Sequence, residues 1–289
     1  MQMSDDVLFT SWESAVSWLR AQPDQQALVN ASYYDDPLLA AAKRYHASSE
    51  WQAIQKYLAG YSGEALDIGA GRGIASFALA KEHFSVTSLE PDSSNLVGAG
   101  AIKSLAIEAG LTIKVVEQFS EQLPFSDGSF DVVFARAVLH HTSNLEQACR
   151  EVYRVLKPGG RFIAVREHVI SKPDDLKYFF QIHPLHKLYG GENAFLLKKY
   201  KSALQRVGFV EHDVLSPLKS PINYFPHTQD SLREELVDRL KKTPFIQPLA
   251  RALLAINPIF KICILMLSLV DSRPGRLYSF VSDKPSKSS

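Results

Sequence analysis

Residues 65–73 read ALDIGAGRG, and this short stretch decides the architecture. An apolar run, Ala65 to Ile68, carries an acid at Asp67 and breaks into a turn with glycines at positions 69, 71 and 73. A helix follows, whose apolar face includes Ile74, Phe77 and Ala78. Glycine tolerates positive φ and lets backbone amides approach a ligand closely, so strand, turn and helix together form a cradle for an anionic or polar group. A dinucleotide fingerprint places its third glycine where Ile74 stands, which argues against NAD.

Downstream the same rhythm repeats. SVTSLE (85–90), TIKVVE (112–117), FDVVFA (130–135) and RFIAVRE (161–167) are further apolar runs separated by helical stretches. Five such runs imply an α/β fold, a mostly parallel sheet with helices on both faces. The helix after the fourth run has a start at Asn144 with Gln147, an apolar stripe of Leu145, Ala148, Cys149, Val152, Val155 and Leu156, and a stop at Pro158, Gly159 and Gly160. Cys149 is then a core residue. Upstream, residues 1–60 are expected to form a helical cap, with Trp12, Val16 and Leu19 on one face and Trp51, Ile54, Tyr57 and Leu58 on another. Residues 208–225 and 276–284 are expected as two more strands, the second leading into the polar tail that ends the chain. Residues 226–275 form a helical insertion between those strands, longer than an ordinary connection.

Composition narrows the function. With 32 Lys and Arg against 31 Asp and Glu, the net charge of +1 supplies no field for drawing in a polyanion, so nucleic acid is not the expected partner. Two cysteines, Cys149 and Cys263, make no disulfide framework and show no zinc spacing, which suits a reducing cytoplasm. The N-terminus opens with acids and does not read as a secretory signal. The most apolar stretch, Ile259 to Val270, is 12 residues with Lys261 inside it, short of the roughly 20 a membrane span needs.

Glu90 ends the second strand 19 residues beyond Gly71, where a carboxylate accepts hydrogen bonds from two ribose hydroxyls; the alternative is a solvated acid at a strand end. Combined with the glycine turn, it favours a nucleoside ligand.

Four ordered motifs now resemble the class I S-adenosylmethionine-dependent methyltransferases, especially the branch of ubiquinone and menaquinone C-methyltransferases and related small-molecule enzymes. They are ALDIGAGRG, LEP at 89–91, EQLPFSDGSFDVVFARAVLHH at 121–141 and EVYRVLKPGGRFIAV at 151–165, within residues 60–170. The resemblance implies a Rossmann-like, seven-stranded sheet, with 61–225 as the methyltransferase core and 170–205 on its acceptor side. It implies S-adenosylmethionine as cofactor, with Asp67, Gly69, Ala70 and Gly71 around its methionine part. Glu90 would hold the ribose, with Pro91 and Asp92 beside the adenine; Ser120 and Glu121 would edge the adenine; Ala135 and Arg136 would lie beneath the sulfonium. One position departs from the family pattern: an acid usual two residues before Glu121 is Phe119 here, so stacking and backbone groups are expected to grip the adenine.

A sulfonium methyl is already electrophilic, so the protein's task is to align the acceptor and exclude water. A hydroxyl acceptor also needs a base, and five of the nine histidines, His140, His141, His168, His183 and His186, fall between 140 and 186. Each also has a structural reading. His141 is the first candidate, because it follows the fourth strand at the carboxyl edge of the sheet; Glu167 and His168 end the fifth strand on that edge, and His186 lies in HPLHKLYGGENAF (183–195) with His183, Tyr189 and Asn193. His183 and His186 flank Pro184 and no acidic cluster completes a ligand set, so no metal is expected. Tyr33, Tyr34, Asp35 and Asp36 offer either a lid over the cofactor or packing under the cap.

The expected activity is methyl transfer to oxygen of a small or lipid-linked acceptor. Transfer to nitrogen or carbon and a non-catalytic binding module are the alternatives. The apolar second half of the insertion, 244–270, with basic residues Lys241, Lys242, Arg251, Lys261, Arg273 and Arg276 nearby, has three readings: core packing, a dimer interface, or contact with a membrane surface.

Overall fold

The strands that carry the motifs are apolar on both faces, as central parallel strands must be when helices cover each side. In β4 the alternation is visible residue by residue: Val132 and Phe134 enter one core, Val133 and Ala135 the other. The computed structural model describes residues 8–240 and 245–286. Four helices come first, α1 (Trp12–Ala21), α2 (Gln26–Ala31), α3 (Leu38–His46) and α4 (Ser49–Leu58). The alternating core follows: β1 (Glu64–Ile68), α5 (Ile74–Lys81), β2 (Ser85–Leu89), α6 (Ala99–Ala109), β3 (Ile113–Val116), β4 (Phe130–Arg136), α7 (Leu145–Val155) and β5 (Leu156–Ile170). Then come α8 (Asp175–Ile182), α9 (Pro184–Tyr189), β6 (Phe195–Leu196), α10 (Leu197–Arg206), β7 (Val210–Leu215), α11 (Pro221–Tyr224), α12 (Gln229–Asp238), α13 (Gln247–Ala255), α14 (Asn257–Val270) and β8 (Arg276–Asp283).

The strands run in the order β3-β2-β1-β4-β5-β8-β7, with β6 added beside β5. The described sheet thus has eight strands, seven on the main path as expected plus a two-residue strand that no periodicity signals. All pairs up to β5 are parallel, and β8 is antiparallel to both β5 and β7. On one face α3, α4 and α5 pack around Trp51, Ile54, Phe77 and Phe134; on the other α7 and α10 bury Leu145, Cys149, Val152 and Tyr200. The second half of the N-terminal cap, α3 and α4, is therefore part of the main core, while α1 and α2 pack in a separate cluster with Leu188 of α9.

Several boundaries differ from expectation. Asn144 Oδ1 accepts the Gln147 N–H at 3.1 Å, but the Gln147 side chain turns to the Glu121 carbonyl, so only half of a capping box forms. Pro158, Gly159 and Gly160 do not cap α7; they lie in the first residues of β5, which begins as soon as the helix ends. The strand expected over 208–225 stops at Leu215, and α11 follows, because Ser220 caps a turn that starts at Pro221. Part of the 183–195 loop is helix α9, whose Pro184 occupies the first turn.

The insertion is helical as expected, but it is not core. Helix α13 has no buried residue, and α14 buries only Phe260, Ile264 and Ser268, the first two against Leu232 of α12 and Tyr224. Leu265, Met266, Leu269 and Val270 stand exposed. No single described helix is long and apolar enough to cross a membrane; α13 and α14 pass that test only as a pair, bent by 105°.

Candidate functional site at the carboxyl edge of the sheet

The glycine turn follows β1, whose end is held by β2 and β4 on either side. Gly69 has φ +60, and a Cβ there would meet Val138 Cγ2 at 2.8 Å, so only glycine fits. Gly71, at φ +53, has open space where a Cβ would point, its nearest neighbour being the Val97 carbonyl at 4.0 Å. One glycine thus seals the turn against the β4 loop while the other leaves room above it. Ala70 is buried between them. Asp67 is fully enclosed and accepts a 2.5 Å hydrogen bond from Ser76 Oγ; burial, with Glu90 nearby, pushes its carboxyl up to about 7.

Glu90 is buried, and its two oxygens accept N–H groups from Gly71 at 2.7 Å and Asp92 at 3.0 Å. Burial raises its pKa, partly offset by those two amides. The carboxylate is therefore fixed in direction, with lone pairs remaining for ligand hydroxyls, and the solvated strand-end reading fails. Pro91 beside it is exposed. These residues fit a nucleoside whose ribose meets Glu90 and whose polar tail meets the glycine-turn amides.

Four expected positions make other contacts. Glu121 accepts from Ser143 N at 2.9 Å and Oγ at 3.0 Å, and from Ser120 Oγ at 3.3 Å, so Ser120 and Glu121 tie the β3–β4 loop to the start of α7. Ala135 lies wholly in the core. Arg136 turns its guanidinium away from the glycine turn toward the wholly buried Glu50 of α4, donating from Nε at 2.7 Å and Nη2 at 3.1 Å. It lies over the Tyr33 and Tyr45 rings and anchors the cap. Phe119 is exposed on its loop.

Arg72, unremarked in the sequence, is the second anchor. From inside the glycine turn it donates to the Tyr33 and Asp35 carbonyls, at 2.9 and 3.0 Å, and pairs with Asp36. Tyr33 is buried and stacked on Phe225, and Tyr34 meets Trp12 edge-on, so these aromatics pack the cap. The 33–36 segment is nevertheless strapped directly to the cofactor turn.

Above the same sheet edge lies a histidine cluster. Glu167, wholly buried, accepts the N–H groups of Val138, Leu139 and His140 at 3.0–3.1 Å and lies 2.7 Å from His140 Nδ1. The elements that aim it are distorted. Ala137 and Arg166 adopt left-handed φ of 58° and 61°, and the β5–β8 register shifts between Ala164 and Glu167. Such strain and bulging at strand ends re-aims side chains where a site is built. His140 Nε2 faces Glu192 at 3.5 Å, His141 Nε2 faces it at 3.8 Å and His183 Nδ1 at 4.0 Å. His168 packs on His140, Phe179 and His183, its Nδ1–H donating to the Gly275 carbonyl at 2.8 Å.

The electrostatics divide these rings. Burial opposes charge on His140, but Glu167 and Glu192 outweigh it and raise the ring to about 9. Burial, with His140 and His183 beside it, pushes His168 down to about 3. Burial also lowers His141, helped by His140. For Glu192 burial acts upward, yet the surrounding imidazoles hold it down at about 2. His186 is not among these groups: it lies flat on Phe180 at 4.1 Å with neither ring nitrogen hydrogen-bonded, a packing position. Tyr189 rests against Trp12, and Asn193 accepts its neighbour's N–H.

The expectation that no acid joins the histidines is corrected here. Glu192 does so, and His140, His168 and Glu192 bring ligand atoms within 4.8 Å of one another. The residue lies in the 183–195 segment, but nothing in its spacing shows that the loop folds back over β4 and β5.

Residues 66–164 match the family described as methyltransferase domain. An uncharacterized methyltransferase of Bacillus subtilis, YcgJ, is 35% identical over 116 residues, covering 37% of this chain and 42% of that protein. The ubiquinone/menaquinone biosynthesis C-methyltransferase UbiE of Brucella anthropi is 32% identical over 168 residues, covering 53% of this chain and 62% of the relative. The chain thus spans less than two thirds of the curated relatives it matches. Among solved structures, the geranyl diphosphate C-methyltransferase of Streptomyces coelicolor shares the fold with a TM-score of 0.58 at 13% identity, over 96% of this chain and all of that one. Residues 66–164 thus carry a methyltransferase domain, on a fold shared with solved methyltransferases. Within that class the sequence is similar to the UbiE branch over its core, while the cap and the helical insertion lie outside the matched domain.

Proposed function

We propose that the protein transfers a methyl group from S-adenosylmethionine to a hydroxyl of a small or lipid-linked acceptor. The observation that carries this reading is the junction of the two half-sites: Gly69 of the cofactor turn packs on Val138, two residues from His140, so the glycine turn and the histidine cluster share one sheet edge. When bound, the cofactor supplies an electrophilic methyl on sulfur. The Glu90 carboxylate and the Gly71 region hold its ribose and methionine ends, and the Arg72 strap holds the cap against the turn. His141 takes the acceptor's proton at Nε2, because its Nδ1–H is committed to the Gly191 carbonyl at 2.9 Å and its lowered pKa keeps it unprotonated near neutrality. The S–CH3 bond breaks as the O–CH3 bond forms, leaving S-adenosylhomocysteine.

Screening hydroxyl, amine and activated-carbon acceptors by S-adenosylhomocysteine release tests the acceptor class; product formed only with amines or carbon acids rejects the hydroxyl assignment. Glu90→Ala is expected to weaken S-adenosylmethionine binding at least several-fold, since a charge-assisted pair of hydrogen bonds is lost. Unchanged affinity by calorimetry would remove the ribose contact.

A lipid-linked acceptor is favoured by the exposed apolar faces of α13 and α14. Leu249, Ile262, Leu269 and Val270 are each at least 61% exposed, and contiguous apolar surface of this kind marks an interaction site. By name, UbiE is a C-methyltransferase of ubiquinone/menaquinone biosynthesis and the Streptomyces coelicolor enzyme a geranyl diphosphate C-methyltransferase. Of the basic residues expected to meet headgroups, Arg251 is paired with Glu234 and Arg273 with Asp271, and Lys241 and Lys242 lie outside the described residues. The apolar face, not the charge, therefore drives the proposed membrane contact. Co-sedimentation with neutral as well as anionic vesicles is expected, and to fall with Leu265→Ser plus Leu269→Ser; protein left wholly in the supernatant refutes it.

A further inference from the structure

We propose that His140, His168 and Glu192 form a binding site for a divalent transition-metal ion of the zinc type. The donor set is assembled from three separate elements: the turn after β4, the end of β5, and the loop between α9 and β6. All three converge within 4.8 Å. Zinc–nitrogen and zinc–oxygen bonds of about 2.0–2.2 Å put tetrahedral ligand atoms about 3.3 Å apart, so the cluster needs only a small inward movement of side chains.

The hydrogen bonds behind the rings are those a metal site requires. A ligating imidazole presents one nitrogen to the ion and donates the other N–H to a carboxylate or backbone carbonyl, which fixes tautomer and ring direction. His168 Nδ1 meets the Gly275 carbonyl at 2.8 Å, and a carbonyl can only accept, so Nδ1 holds the proton and Nε2 keeps its lone pair. His140 Nδ1 meets the Glu167 carboxylate at 2.7 Å, leaving Nε2 toward Glu192, and ion binding there displaces the Nε2 proton. Glu167 is itself held by three backbone N–H groups, so the support behind His140 is rigid. His141 repeats the pattern through Gly191, with Nε2 3.8 Å from Glu192.

Two imidazoles and one carboxylate suit zinc, cobalt, nickel or ferrous iron, whereas magnesium and calcium prefer all-oxygen shells. Three protein ligands leave a coordination position open. The further step, that this position receives the acceptor's oxygen and eases its deprotonation, rests on the methyl-transfer reading; ion binding does not.

Cobalt(II) titration of the full chain, after chelator treatment and dialysis, separates the two. One equivalent is expected to give visible d–d bands of a four- or five-coordinate N/O site, and zinc is expected to displace them. His168→Ala and Glu192→Gln should each weaken zinc binding about 10-fold or more, while S-adenosylmethionine affinity by calorimetry stays at the parent value and so reports an intact fold. Absence of bands at micromolar free cobalt overturns the proposal. So does binding that both variants leave unchanged, which would place the ion elsewhere. If the ion binds at these residues but no acceptor is ever methylated, the methyl-transfer reading fails and the metal site stands.

Discussion

His141→Ala is expected to lower turnover on the true acceptor by about two to four decades while leaving S-adenosylmethionine affinity in place, the loss usual for a general base. The expectation rests on where the ring is, not on its being a histidine. His140 is enclosed and locked between Glu167 and Glu192. His168 is half-buried, packed among His140, Phe179 and His183, with one nitrogen committed to Gly275. His186 is stacked on Phe180. Among these rings His141 combines an exposed edge with a backbone acceptor that fixes its tautomer. Because burial and the neighbouring His140 depress its pKa, the acid limb of kcat/KM should fall below the ordinary value of 6.5. The sign follows directly: the base works when neutral, and a lowered pKa keeps it neutral to lower pH. Full turnover by the alanine variant, with cofactor binding intact, assigns the residue to structure.

The second large effect is on stability. Glu50→Ala is expected to cost about 3–5 kcal/mol, because it strips the partner from buried cations. Arg136 donates two hydrogen bonds to Glu50, and Arg166 Nη1 lies 3.8 Å away, so one wholly buried carboxylate faces two guanidiniums. The same contact ties α4 to the end of β4. In a chain of this size, each kcal/mol shifts Tm by about 2–4 °C, so thermal unfolding should begin about 10 °C lower. A shift under about 2 °C would mean that the cap is held by apolar packing of Trp51 and Ile54 and not by the ion pair.

The sequence by itself determined much of what depends on neighbours along the chain. Alternating apolar runs specified β1 to β5, the glycine turn specified a close backbone approach, and an acid one strand later marked the carboxylate that the structure buries beside that turn, since each signal is complete within about 25 residues. Polar patterning also located the cap and the insertion. Tertiary structure decided whatever depends on residues far apart. Arg136 has the chain position of a sulfonium neighbour, yet its side chain goes to Glu50, 86 residues away, because a buried charge must find a countercharge wherever the fold offers one. Glu192 looked like a loop acid until α9 and β6 folded it onto His140 and His168. The apolar run 259–270 has the composition of core, but composition carries no information on which surfaces remain to cover it, and the sheet's faces were already filled by α3 to α5 and by α7 and α10. Local periodicity sets an element and its apolar face; only the completed packing determines whether that face is buried, left to solvent, or turned into a site.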